Sequence, residues 1–342
     1  MKPKEKPMSL FDSSRRAGSL PRFWLALASL AAALSMTAAP AHAEWPDRPI
    51  NLIVPFPAGS SPDLLARIVS EPLSKALGQA IVVENKPGAG GNIGTRFAAE
   101  AKPDGYTMLF TINGPLTTAP TLYRKLGYDP FTDLAPVTLV ATSPNVLVVP
   151  KDMNVKTLEQ FVNVVKERPG ALNYGSVGPG SASQLAMEMF KDRAQLDIAH
   201  IPYPGFPQVI SAIISGDIQA SFMVPAIAMP QVRGGKADVL AVTSLKRADT
   251  LPDVPTMAEQ GYPGFEAISW DAILVPAGTP SMVIERLNSE LARIITSDKV
   301  RQQMAPTYFT PAPSSPEELT TRMRDEKARW DAVIQKLNLS LD

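Results

Sequence analysis

The chain has 342 residues, 33 Lys and Arg against 33 Asp and Glu, two His and no Cys. Without thiols neither disulfides nor thiolate metal sites can form, and so few imidazoles remove most zinc, iron and Ser-His designs. A chain this long exceeds the size at which one hydrophobic core keeps growing, so two lobes are expected.

The first segment carries Lys2, Lys4, Lys6, Arg15, Arg16 and Arg22, then an apolar run from Phe23 to Leu34, then Ala39-Pro40-Ala41-His42-Ala43. This is the pattern of a secretory signal, with cleavage expected after Ala43. Ser14-Arg15-Arg16 hints at a twin-arginine signal, but Ala17, Gly18 and Ser19 follow where a bulky apolar patch would strengthen it, so the ordinary secretory route is favoured. Nothing downstream is long and apolar enough to span a membrane. Loss of residues 1–43 leaves 27 Lys and Arg against 31 Asp and Glu, and His200 as the remaining histidine. That mildly acidic balance argues against nucleic acid or an anionic membrane surface as partner.

Asn51 to Asp63, NLIVPFPAGSSPD, reads as the wall of a ligand pocket. Leu52, Ile53 and Val54 form a short buried strand that Pro55 and Pro57 stop, and Ala58, Gly59, Ser60 and Ser61 keep the backbone open to a ligand. Ser61 is the expected N-cap, with Pro62 at the first helical position and Leu64, Leu65, Ile68, Val69 and Leu73 as an apolar stripe. Free amides at such a helix start favour an anion, because dipole and unpaired donors point the same way. Gly78 stops the helix and Ala80 to Val83 make a strand. The turn Lys86-Pro87-Gly88-Ala89-Gly90-Gly91 then opens a helix over Asn92 to Ala101. Tyr106 to Thr111 is the next strand, ending at Asn113-Gly114. This alternation is the βαβ signature of a parallel sheet with right-handed crossovers.

Val137 to Val149 is a long apolar strand interrupted at Ser143-Pro144-Asn145, a suitable point for the chain to leave one lobe for another. The pattern restarts with a helix at Thr157 to Glu167, a strand at Ala171 to Tyr174, and the loop Gly175-Ser176-Val177-Gly178-Pro179-Gly180-Ser181 opening a helix at Ala182 to Arg193. Units follow at Ile198 to Pro202, Pro207 to Ser215, Ile218 to Met223, Ala226 to Arg233 and Val239 to Thr243. Phe265 to Pro276 is a strand that returns the chain, and helices at Pro280 to Thr296 and Ser315 to Leu337 finish the first lobe. Ligands of open α/β sheets sit beyond the carboxyl ends of the strands, so the two glycine and serine loops should face each other across a cleft.

These stretches resemble the Bug-type periplasmic solute receptors of tripartite tricarboxylate transport systems. The matching segments are Trp45-Pro46-Asp47-Arg48-Pro49 with NLIVPFPAG, VVENKPGAGGNIG, PDGYTMLF, YDPFTDLAPVTLVATSPNVLVV, LNYGSVGPGSASQLAMEMF, LAVTSLKR, LPDVPTMAEQGYPGFEAISW and PAGTP, in order from Trp45 to about Pro280. The resemblance implies a two-lobed periplasmic-binding-protein type II fold: α/β, with two doubly wound sheets joined by a two-strand hinge. The expected division is residues 44–145 plus 271–342 for lobe 1 and 146–270 for lobe 2. It further implies a monomeric, non-enzymatic periplasmic receptor without cofactor or metal, which passes a small carboxylate, dicarboxylate or aromatic, to membrane permease subunits.

Carried over by residue, the resemblance puts ligand contacts at Phe56, Ala58, Gly59, Ser60, Ser61 and Asp63, and at Asn113 and Gly114. In the second lobe it puts them at Ser176, Gly180, Ser181, Ala182, Ser183 and Gln184, with wall positions at Tyr203, Met223 and Trp270. Backbone amides and bridging waters would hold the carboxylate, in keeping with the absence of Arg and Lys from both loops. Ser60 replaces a usual second glycine, Gln184 stands where histidine is common, Met223 where an acid is common, and Pro204 where lysine is frequent. Met223 would make the far end of the pocket apolar and admit an aromatic or aliphatic ligand tail.

Several residues carry a second reading. Asp63 either orients a ligand or favours the first turn of its helix and pairs with Arg67. Ser176, Ser181 and Ser183 read as donors to a carboxylate or as caps of the following helix, two roles that can coexist. Gly88, Gly90, Gly91 and Gly94 resemble a dinucleotide fingerprint, but they follow the second strand and Ile93 breaks the spacing, so a plain turn with tight helix packing is expected. His200 reads as a satisfied core or rim residue, Met187 and Met189 as packing, and Trp270 as either cleft floor or hinge seal. Two other functions compete with the receptor: a sensory co-receptor that presents closed lobes to a membrane kinase, and an exported hydrolase or lyase. For the latter the sequence offers no Gly-x-Ser-x-Gly elbow and no nucleophile and base pair.

Overall fold

The computed structural model describes residues 45–341, so the signal segment and its cleavage point lie outside the described residues. Strand β1 (Ile50–Val54), helix α1 (Ser61–Leu77), β2 (Ile81–Asn85), α2 (Asn92–Ala99) and β3 (Thr107–Ile112) follow one another, and β1 pairs in parallel with both β2 and β3. Helix α1 forms because Leu65, Val69, Leu73 and Leu77 fall on one buried face, and Gly78 ends it in the left-handed conformation at φ 70°. A π-helical turn (Gly114–Thr118) and a short helix α3 (Ala119–Leu122) come next. The hydroxyls of Thr117 and Thr118 bond back to the carbonyls of Asn113 and Gly114, which holds that wide turn.

β4 (Leu134–Ser143) is followed after two residues by β5 (Val146–Pro150), and the chain changes sheet between them. Then come α4 (Leu158–Glu167), β6 (Asn173–Ser176), α5 (Ala182–Ala194), β7 (Ala199–Pro202), α6 (Phe206–Ser215), β8 (Ser221–Met223), α7 (Pro225–Arg233) and β9 (Ala237–Val242). β10 (Ser269–Pro276) returns to the first sheet, followed by α8 (Ser281–Ile295), α9 (Asp298–Met304), β11 (Thr310–Pro311) and α10 (Pro316–Lys336). Among the described residues no helix is long and apolar enough to cross a membrane.

The first sheet has the order β11-β4-β10-β3-β1-β2, and β10 runs antiparallel to both its neighbours. In the second region β8-β5-β9 is antiparallel and β6 pairs with β7 in parallel. A parallel bridge from Tyr174 to Ala220 links the two sets. The first sheet thus contains two reversed strands, β10 and the two-residue edge strand β11, and the second contains β5; of these, β10 and β5 adjoin chain crossings. Plain repetition of parallel βα units does not anticipate this reversal, because a strand arriving from the other sheet need not run with its neighbours.

Both sheets are covered on both faces, as doubly wound sheets must be. Val54, Phe110 and Ile273 pack against Leu65 and Val69 of α1 and Leu287 and Leu291 of α8, while Leu109, Trp270 and Leu274 face Leu319 and Met323 of α10. In the second region Leu147, Tyr174 and Phe222 meet Phe161 of α4 and Phe190 of α5; Val146, Val148 and Met223 meet Val209 and Ile213 of α6. Helix α10 belongs to both regions, since its Trp330 and Ile334 lie in the cluster of Phe161 and Phe190. The crossings are tied together: Asn145 Nδ2 and Thr243 Oγ1 donate to the Ala267 carbonyl at 2.7 and 2.8 Å, and Thr243 Oγ1 accepts the Asn145 amide at 2.9 Å.

Candidate functional site

The first loop is built around Asp63. The helix begins one residue earlier than expected, with Ser60 at the N-cap, and the Ser60 hydroxyl bonds to the Pro57 carbonyl instead of capping the helix. Asp63, 2% exposed, accepts the Gly59 amide at 2.8 Å, Asn85 Nδ2 at 2.9 Å and Arg67 Nε at 3.1 Å. Burial pushes its carboxyl up, but the bonds from Arg67, Gly59 and Asn85 together hold it below the ordinary carboxylate value. Of the two readings of Asp63, the structure supports pairing with Arg67 and adds a loop clamp that occupies the Gly59 amide. Ala58 and Gly59 are exposed, and Phe56, Ser60 and Ser61 are half-buried. The amides of Ser61 and Asp63, in the first turn of α1, have no acceptor inside the helix.

The second loop is likewise bonded within itself. Ser183 Oγ accepts the Val177 amide at 3.2 Å, Ser176 Oγ the Gly178 amide at 3.1 Å, and Gln184 Oε1 the Gly180 amide at 2.6 Å. Ser181 caps α5 through the Gln184 amide and donates to the Gly178 carbonyl at 2.6 Å. The structure gives these serines bonds that brace the loop and cap the helix, a role that can coexist with donation to a ligand. Four loop amides, those of Gly59, Val177, Gly178 and Gly180, are therefore already engaged, and two of them, Gly59 and Gly180, belong to expected ligand contacts. The donors left by helix geometry are the first-turn amides of Ala182 and Ser183 on α5 and of Ser61 and Asp63 on α1.

One short segment joins the surroundings of the two loops. A Cβ on Gly91 would come within 2.7 Å of Phe56 Cζ and 3.0 Å of Pro115 Cγ, so the first loop, the glycine turn and the π-helical turn are in close contact. At the other end of that segment, a Cβ on Gly180 (φ 74°) would lie 2.9 Å from Leu122 Cδ1. Pro115 and Leu122 are separated by about 10 Å at helical rise. Of the dinucleotide-like glycines, Gly91 and Gly94 serve packing, Gly94 sitting against Pro55 and the Lys86 carbonyl, while Gly90 has open space and turns the chain at φ 66°.

Other expected site residues are placed differently. Trp270 has no exposed surface, and its Nε1 donates to Glu326 Oε2 at 2.5 Å. Asn113, 7% exposed, gives its Nδ2 to Glu326 Oε1 at 2.7 Å and to the Ile268 carbonyl at 3.3 Å. Met223 is fully buried between Val146 and the apolar face of α6, so it has no exposed atom with which to line an apolar far end. These three act in the core and at the crossing because their polar and apolar atoms already have protein partners. Gly114 is half-buried at the head of the π-helical turn, and Tyr203 is half-buried with its amide bonded to the Ser176 carbonyl at 2.8 Å. The grooves flanking α10, one lined by Ser314 and Arg322 and the other by Arg193 and Lys336, include none of the expected loop residues.

Sequence reasoning missed Glu326. It is 2% exposed on α10 and also accepts Trp330 Nε1 at 3.1 Å. The signal was present: Leu319, Met323, Glu326, Trp330 and Ile334 form one helical stripe with a carboxylate in its centre. Ser176 Oγ lies 2.6 Å from His200 Nε2, a hydroxyl and imidazole contact that the sequence did not reveal. Gln184 Nε2 faces His200 Nδ1 at 3.3 Å, where a catalytic arrangement would place an orienting carboxylate.

Comparison with known proteins adds the family. Residues 65–339 match the model described as tripartite tricarboxylate transporter family receptor. Protein BugT of Bordetella pertussis is 34% identical over 319 residues, covering 93% of this chain and 98% of BugT. The solved structure of R. palustris Rpa4515 with adipate is 33% identical with a TM-score of 0.75, covering 87% of this chain and 99% of that one. MatC (Rpa3494) from Rhodopseudomonas palustris with bound malate is 30% identical with a TM-score of 0.69, covering 85% and 100%. Match and fold extend over nearly all the described residues, and the chain belongs to the tripartite tricarboxylate transporter receptor family.

Proposed function

We propose that this receptor captures a small carboxylate between the first turns of α1 and α5 and hands it to the membrane permease of its transporter. The observation that carries the reading is the repeated unit, strand then braced small-residue loop then helix, placed at both ends of the Asn113–Leu122 segment. Each unit offers helix-start amides and no Lys or Arg in its loop, which suits a carboxylate held through amides and water. Adipate and malate, the ligands of two related structures, define the class to test. The lobes would be residues 44–145 plus 271–342 and residues 146–270, moving about the crossings at Pro144–Asn145 and Ala267–Ile268. The working form would be a monomer in the periplasm, released after Ala43. It would bind and release its ligand unchanged, because the Ser176 hydroxyl is occupied in bracing the loop.

The mechanism is a population shift. A ligand that touches both lobes only when they are closed stabilises the closed form by its differential affinity. Adipate, malate and an aromatic carboxylate such as benzoate, each screened by thermal denaturation, test the reading. A bound ligand at a hundred times its Kd adds about 2.7 kcal/mol to apparent stability and raises the melting temperature. A melting curve that no mono-, di- or tricarboxylate moves would overturn the proposal.

A further inference from the structure

The second loop is set by a relay that runs through the imidazole of β7. The Gly180 amide donates to Gln184 Oε1 at 2.6 Å, which commits the oxygen end of that side chain and turns its Nε2 toward His200 Nδ1 at 3.3 Å. An amide NH₂ group only donates, so Nδ1 is the bare nitrogen and the ring proton sits on Nε2. Nε2–H then donates to Ser176 Oγ at 2.6 Å, and the same oxygen accepts the Gly178 amide at 3.1 Å. The Tyr174 ring stacks on the imidazole with centroids 4.9 Å apart and fixes its plane. One ring thus supports both ends of the loop, Gly178 through Ser176 and Gly180 through Gln184. The proton direction is opposite to that of a general base, which would need a bare Nε2.

We propose that His200 in its neutral Nε2–H form is the positioning residue that holds the second loop for its ligand, and that its protonation releases the loop and weakens carboxylate binding. Only the final clause rests on the receptor reading. A second ring proton would sit on Nδ1 and face the Gln184 NH₂ group, donor against donor. Turning the amide to relieve this would place NH₂ against the Gly180 amide and break the Gly180 bond, and leaving it unturned pushes the Gln184 side chain off the ring and shifts that bond. Burial holds the His200 pKa below its ordinary 6.5; Glu188 on α5 favours the charged ring and Lys191 opposes it. Glu188 is itself engaged by the Tyr174 hydroxyl at 2.5 Å and Lys191 at 2.8 Å.

With residues 1–43 removed His200 is the remaining histidine, so long-range ¹H–¹⁵N NMR of the released chain gives one ring system, absent from the His200→Gln variant. The expected result is an Nε2–H tautomer for His200, a titration midpoint below the ordinary 6.5, and a Gly180 amide resonance that moves with that midpoint. An Nδ1–H tautomer, or a Gly180 amide unmoved across the titration, would overturn the positioning role. Calorimetry with adipate then reads the coupling: below the His200 midpoint, wild-type affinity divided by His200→Gln affinity falls about tenfold per pH unit. A ratio constant with pH would overturn the coupling. If adipate binds neither protein at any pH, the adipate receptor reading fails, while the tautomer and the Gly180 shift still decide the role of His200.

Discussion

Asp63 and Asp271 are both buried, and their surroundings treat them in opposite ways. Asp63 accepts hydrogen bonds from three nitrogens, of Gly59, Arg67 and Asn85, and stays ionised, whereas both oxygens of Asp271 find no hydrogen-bond partner among the described residues. Asp271 lies on β10 opposite Ile112 and Ala141, in register with apolar neighbours, and burial pushes its carboxyl well above the ordinary 3.8. Unfolded, this group loses its proton near 3.8; folded, it keeps the proton. Its contribution is therefore fully present below the unfolded value and is lost as pH rises toward the folded one. Urea unfolding of Asp271→Asn should match wild type at about pH 3.5 and be the more stable protein at about pH 7. Parallel pH profiles for the two proteins would refute this assignment. Little of the contrast was legible in sequence, because an Asp in a helix first turn and an Asp in a strand differ only in what folds around them.

At the scale of elements, α10 joins parts of the chain that are far apart in sequence. Ser315 and Glu318 form a reciprocal capping box that starts the helix, and Glu326 collects donors from Asn113 after β3, Trp270 on β10 and Trp330 one turn on. Glu326→Leu leaves the Trp270 and Trp330 indole N–H groups buried without an acceptor, while Asn113 keeps the Ile268 carbonyl, and should cost about 2–6 kcal/mol in urea unfolding, on the order of 1–3 for each orphaned donor. Glu326→Gln, which keeps one carbonyl oxygen, should lose less. Equal losses for the two would show that packing volume, and not acceptance of these bonds, is what Glu326 supplies. The long helices were legible from their 3.6-residue stripes, and the strands from apolar runs closed by Gly and Pro. The π-helical turn, α3, α9 and β11 were not. They are four to seven residues at most, or only two in β11, too short to establish a period, and their form depends on what they pack against.

For the whole molecule, two crossings and one shared helix limit how the sheets can move. Asn145, Thr243 and Ala267 bind the crossings into a single joint, so rotation should occur about them while the loops approach. Small-angle X-ray scattering with saturating adipate should give a smaller radius of gyration than the protein alone. Bound adipate with an unchanged radius would mean the lobes are already closed. Helix α10 is expected to travel with the first sheet at Leu319 and Met323 and to slide against the second at Trp330 and Ile334.

Residue order alone determined the alternation of strands and helices, the change of sheet at Ser143–Asn145, the two small-residue loops and the family pattern, because these depend on local spacing and on turn chemistry. Tertiary structure decided what the loops do with their own amides. Asp63, Ser183 and Gln184 take up donors that a sequence reading leaves open to a ligand, and Asn113, Met223 and Trp270 are drawn into the core. It also decided the neighbours of His200 and the place of Glu326. The physical reason is that hydrogen-bond capacity is shared among neighbours in space, and a donor near residue 113 meets an acceptor at residue 326 only after the sheet has formed.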